Sequence, residues 1–113
     1  MGYLTITRIC GDPGELLAGY RQSSRTMTEV GRDHGLILHA AAKADEGLLI
    51  VNLWPSKDGS EAASRDQRRL GVIAEHGLEL SQIRPQHYEV ANYVVFDPGD
   101  VDGLDEAACA GRG

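Results

Sequence analysis

Between Leu36 and Trp54 the sequence holds two apolar runs, Leu36–Lys43 and Leu48–Trp54, joined by Ala44-Asp45-Glu46-Gly47. Two such runs around a short polar connection ending in glycine make a β-hairpin. Neither run alternates cleanly between apolar and polar residues, so neither face of the resulting sheet is designed to meet water. Pairing Ala44 with Gly47 sets the register: His39 stands opposite Asn52 and Ile37 opposite Trp54. Side chains alternate with period two, so His39, Asn52 and Trp54 share one face while Leu38, Leu49, Val51 and Leu53 share the other. One face is aliphatic and suits burial against another sheet. The other gathers an imidazole, an amide and an indole. A slip of one residue would exchange the two faces.

The flanking sequence supplies the remaining elements. Tyr3–Ile9 alternates and is rich in β-branched residues, as a first strand. Asp12-Pro13-Gly14-Glu15 is a helix start, with Asp12 as cap and Pro13 at the first helical position. Leu16, Leu17, Tyr20, Met27 and Val30 then recur at helical spacing as far as Asp33-His34, and Gly35 closes the helix. A second helix is expected from Ser56 or Ser60 to His76, with a polar middle at Arg65–Arg69. A short helical turn fits within Leu78–Arg84, and Gln86–Phe96 reads as the last strand. The order βαββαβ is the ferredoxin-like α+β arrangement: a four-stranded antiparallel sheet with both helices on one face. A chain of 113 residues has no second helical layer, so the other face is expected to meet a second copy of itself. The expected domain is 1–96. Residues 97–113 form an acidic segment with too few apolar residues to offset the entropy of ordering it.

Charge and cysteine content narrow the function classes. The net charge is −6, with Asp97, Asp100, Asp102, Asp105 and Glu106 facing only Arg112 in the last seventeen residues. A nearly neutral body with an acidic tail is a poor nucleic-acid binder, because binding phosphates needs clustered Lys and Arg. No apolar stretch approaches membrane-spanning length. The opening MGYLTITRIC lacks a secretory pattern, and Ile6 breaks a myristoylation motif. Two cysteines, Cys10 and Cys109, make neither a disulfide framework nor a zinc site, and a cytoplasmic location is expected.

The stretch Gly47-Leu48-Leu49-Ile50-Val51-Asn52-Leu53-Trp54-Pro55-Ser56-Lys57-Asp58 resembles the third strand and second-helix start of the dimeric α+β-barrel superfamily. That group includes antibiotic-biosynthesis monooxygenases, haem-degrading monooxygenases, stress-responsive proteins and many small actinobacterial proteins. The resemblance covers residues 3–96. It implies two sheets packed face to face in a dimer, with a pocket in each protomer between sheet and helices. The haem degraders of the group use an Asn on strand one, the Trp ending strand three and a His on helix two. Here Trp54 is kept, but strand one offers Thr5 and Thr7, and the matching helix positions are Ala63 and Ser64. That haem-degrading set is incomplete, and no cofactor is expected.

The resemblance makes the Trp54 face the pocket face, with His39 as candidate catalytic residue and Asn52, Trp54 and Tyr20 as candidate ligand-binding residues. The plainer reading competes: His39 and Asn52 as a satisfied structural pair, Trp54 and Tyr20 as packing. His34 and His76 read as helix C-terminal caps, and Arg65, Arg68 and Arg69 as a solvated helix face. His39 and His87 belong on opposite edges of the sheet, so no metal site is expected. Two functions remain open. One is a cofactor-independent monooxygenase acting on an aromatic or polyketide-like molecule; the other is a non-catalytic dimeric module for small-molecule binding or stress response.

Overall fold

Asp12 begins the first helix as its sequence requires. Its carboxylate accepts the Glu15 N–H at 2.9 Å, and Pro13 occupies the first turn. The helix, α1 (Pro13–Asp33), follows strand β1 (Gly2–Cys10) and leads to the hairpin of β2 (Leu38–Ala44) and β3 (Gly47–Trp54). Two short helices, α2 (Lys57–Ser64) and α3 (Gln67–Glu75), precede a 3₁₀ turn at Leu80–Gln82 and the last strand, β4 (Ile83–Val90). The computed structural model describes residues 2–96; the acidic segment lies outside them. The sheet has the order β2-β3-β1-β4 and every neighbouring pair is antiparallel. This is the ferredoxin-like α+β fold.

The hairpin register is the expected one, with Ala44 opposite Gly47 and His39 opposite Asn52. Gly47 is obligatory at the turn. Its φ is +152°, and a Cβ there would fall 1.9 Å from the Ile9 carbonyl oxygen, a clash that no side chain can relieve.

Two expectations need correction. The second helix is two helices, broken at Arg65-Asp66. Asp66 leaves the helical region (φ −65°, ψ 131°) and accepts the Arg68 N–H at 2.9 Å, so it starts a new helix instead of continuing the old one. The Arg68 guanidinium then reaches both Asp66 and, at 2.9 Å, Asp33, while His34 donates to Asp66 at 2.9 Å. The polar middle of the predicted helix therefore ties the end of α1 to the start of α3. Hydrogen bonds from Arg68, then from His34, hold the Asp66 carboxyl well below the usual range.

The last strand is the other correction. It begins earlier, at Ile83, and stops at Val90, because Val90 stands opposite Gly2, where β1 begins. The alternation of Tyr88, Val90, Asn92, Val94 and Phe96 continues without a partner strand, and Phe96 is 66% exposed. Pro85 is accommodated because β4 is an edge strand.

The helices cover the sheet face bearing Thr5, Ile50, Asn52 and Trp54. Val30 of α1, Trp54 of β3 and Ala63 of α2 are buried together, with Tyr3 and Leu36 packed against them. On the opposite face, the first apolar row runs Leu38–Leu53–Leu4–Tyr88 and the second begins Ala40–Val51–Ile6. Leu38 and Tyr88 at the ends of the first row are exposed.

Candidate functional site

Across the helix-facing side of the sheet, one row takes a single residue from each strand: His39, Asn52, Thr5 and His87. The next row toward the hairpin turn is Ala41, Ile50, Thr7 and Pro85. A cavity of about 680 Å³ opens between the polar row and the helices, a size that suits a small organic ligand. Leu48 and Ile50 form much of its floor, and Tyr20, Trp54 and residues of α3 stand around it.

Two members of the row and Tyr20 of α1 form a hydrogen-bonded chain. His39 Nδ1 lies 2.6 Å from Asn52 Oδ1, and His39 Nε2 lies 2.6 Å from the Tyr20 hydroxyl. Asn52 Oδ1 can only accept, so the His39 proton sits on Nδ1. The neutral ring then leaves Nε2 as acceptor, and Tyr20 donates to it. The Tyr20 and His39 rings are nearly parallel, at 13° with centroids 5.9 Å apart, and the two hydrogen bonds hold the imidazole in position and tautomer. Tyr20 and His39 also border a second cavity of about 310 Å³ between α1 and β2. The linkage therefore separates two spaces.

Trp54 lies two residues beyond Asn52 on the same face. It is 5% exposed, and its indole N–H is buried without an acceptor among the described residues. Such a donor costs free energy unless something meets it. The four residues singled out from the sequence, Tyr20, His39, Asn52 and Trp54, all border the large cavity.

The other histidines behave differently. His34 is the Asp66 partner described above. The backbone of His76 caps α3, but its side chain does not cap. The ring packs on α1 at Gly19, where a Cβ would crowd Nδ1 at 3.3 Å. The residue borders the cavity, and its Nε2 is buried with no partner among the described residues. His87 is at the far end of the polar row, three strand spacings or roughly 14 Å from His39, and its ring lies 5.7 Å from that of Tyr3. Among the described residues, no three His, Cys, Asp or Glu side chains group closely enough to hold a metal ion.

Arg69 departs from the solvated-face expectation. It borders the cavity, and burial pushes its guanidinium below the ordinary value. One N–H donates to the Ser64 carbonyl at 3.0 Å. Its spacing carried a usable signal: Arg69, Val72, Ile73 and His76 fall at i, i+3, i+4 and i+7, a single helical stripe, and all four line the cavity.

Comparison with solved structures agrees with this architecture. Rv0793 from Mycobacterium tuberculosis superposes with a TM-score of 0.65 at 15% identity, over 84% of this chain and 100% of that one. A Caulobacter crescentus protein described as a candidate antibiotic biosynthesis monooxygenase gives 0.64 at 11% identity, over 80% and 91%. SnoaB, a cofactor-independent oxygenase from Streptomyces nogalater, gives 0.54 at 12% identity, over 85% and 96%.

The chain has the antibiotic-biosynthesis-monooxygenase fold.

No protein-family model matches the sequence, and no curated protein does either. At these identities the likeness belongs to the monooxygenase fold alone, and the chemistry has to be argued from the side chains. The fold places its cavity between sheet and helices, and here that cavity is edged by the Tyr20–His39–Asn52 chain. No helix of the described residues is long and apolar enough to cross a membrane.

Proposed function

We propose that this chain is a cytoplasmic, cofactor-independent oxygenase that acts on a flat aromatic molecule held between its sheet and its helices. The observation that carries the reading is the Tyr20–His39–Asn52 chain opening on an aromatic-walled cavity. SnoaB, of the same fold, is a cofactor-independent oxygenase, and this adds support.

The geometry suits proton abstraction. The Tyr20 oxygen takes a proton from an acidic C–H of the substrate while its own proton passes to His39 Nε2. The imidazolium formed is held by the Asn52 carbonyl through Nδ1–H. A carbanion flanked by aromatic rings is electron-rich enough to give one electron to dioxygen, and the two radicals couple to a peroxide. That peroxide takes back the proton, then breaks its O–O bond with loss of water. The overall change converts CH₂ and O₂ into C=O and H₂O, so dioxygen is the only oxidant required. The Trp54 N–H is available to a substrate oxygen.

The same reading pairs two copies through the open face of the sheet, where the exposed Leu38 and Tyr88 end an apolar row. The test is an oxygen electrode with 1,8-dihydroxy-9-anthrone as probe. The wild type is expected to consume one O₂ per quinone formed, well above the uncatalysed rate, and His39→Ala to lose this. Tight binding of the anthrone without oxygen uptake would leave the non-catalytic binding module in its place.

A further inference from the structure

Part of the wall of the cavity opposite the sheet is a stripe along α3, with Arg69 at one end, Val72 and Ile73 between, and His76 at the other. Seven residues of helix separate the ends by roughly 10 Å. The apolar middle suits the face of a ring system, and the Arg69 end holds donors that the protein leaves underused.

Arg69 is the more informative end. A guanidinium has five N–H donors, and among the described residues the one acceptor bonded to it is the Ser64 carbonyl. The ion pairs among the described residues do not include Arg69, whereas its neighbour Arg68 has two carboxylates. The acids that border the cavity, Asp12 and Glu15, are exposed, and Asp12 is engaged in capping α1. A cation more than half removed from water without a counter-ion is destabilising unless an anion arrives. At the other end, His76 Nε2 is buried without a partner. Arg69 is therefore the lining group at which the cavity calls for an anion.

We infer that the ligand of this cavity is an aromatic carboxylate: its acid group pairs with Arg69 and its rings lie on Val72 and Ile73. This rests on the reading of the cavity as an aromatic site and names the class of molecule it takes. A bidentate guanidinium–carboxylate pair gives direction as well as affinity, so it also fixes which edge of the ring system reaches Tyr20 and His39. Arg69 is then a binding and orienting residue, separate from the groups that move protons.

The inference is tested by isothermal titration calorimetry with anthraquinone-2-carboxylate and anthraquinone-2-carboxamide, a pair alike in shape and unlike in charge. The wild type is expected to bind the acid at least ten times more tightly than the amide. Arg69→Met is expected to bind both with the amide's affinity, and Arg69→Lys to recover part of the preference. Equal affinity of the wild type for acid and amide would overturn the carboxylate assignment while leaving an aromatic site standing. So would an acid preference that survives in Arg69→Met. Failure of both compounds to bind would overturn the aromatic site together with the inference. A clear acid preference in a protein that consumes no oxygen would support the inference and remove only the oxygenase chemistry.

Discussion

Tyr20 and His39 stand 19 residues apart in the chain, one on the long helix and one on an edge strand, and their polar tips meet at 2.6 Å with the rings stacked. The phenol donates, the imidazole accepts, and Asn52 on the next strand holds the other side of the ring at 2.6 Å. The two bonds set which imidazole nitrogen donates and which accepts, an arrangement suited to a proton relay.

Replacing Tyr20 with Phe keeps the stacked ring and removes the hydroxyl. The proton then has no path to His39, and oxygen uptake is expected to fall by about 10²–10⁴-fold. Affinity for a non-reacting anthraquinone should change little. Parallel measurements of turnover and binding check this: equal losses in both would make Tyr20 a wall of the pocket and no more.

Trp54 separates volume from hydrogen bonding. Trp54→Ala opens a hole under α1 and α2 and is expected to cost about 3–5 kcal/mol in urea unfolding. Trp54→Phe keeps much of the bulk, removes the unpartnered indole N–H, and should leave stability far closer to the wild type. If the indole serves a ligand, Trp54→Phe weakens anthraquinone binding by several-fold despite its intact fold. Unchanged binding would mean that the N–H is merely buried.

Asp66 gives a pH signature. Its carboxyl is held below the usual range by Arg68 and His34, so the folded state favours the ionised form and binds fewer protons than the unfolded chain. The stabilisation is therefore complete above the unfolded value of about 4 and is lost as pH falls through the lower folded one. Asp66→Asn should melt below the wild type at pH 7, and the gap should close progressively on acidification below pH 4. A gap that is constant between pH 7 and pH 3 would assign the effect to capping alone.

The open face of the sheet makes its own prediction. Val51 lies in the row Ala40–Val51–Ile6, and aliphatic rows of this kind contribute about 25 cal/mol per Å² when covered. Light scattering is expected to give a dimer for the wild type at micromolar concentration and a monomer for Val51→Asp. A well-folded wild-type monomer would refute the pairing.

Much of this was legible before any coordinates. The hairpin register followed from Ala44 and Gly47, and with it came the common face of His39, Asn52 and Trp54, because strand alternation allows no intermediate orientation. The break at Arg65-Asp66 was not legible from periodicity. Ala62, Ala63, Leu70, Ile73 and Ala74 fit one long helix, and the break depends on Asp66 choosing Arg68 over the helical path. The end of β4 was hidden for a different reason: its alternation runs on past Val90, and only the position of Gly2 on the neighbouring strand stops it. The Tyr20–His39 bond required knowing how α1 crosses β2, which no local pattern encodes. Arg69 was within reach, since its spacing to Val72, Ile73 and His76 is helical, but a run of four charged residues in five draws attention to solvent.

The polar row across the sheet has a consequence for how such a protein diverges. His39, Asn52, Thr5 and His87 come from four different strands, and the residues flanking each of them point to the opposite face. A substitution in the row alters what the cavity recognises while leaving the surface beneath it untouched. Chemistry and assembly are thus written in alternate positions of the same strands and are free to drift apart. Solved structures with 11–15% identity still superpose on most of this chain, as expected of a scaffold whose inheritance lies in spacing and whose novelty needs only a few side chains.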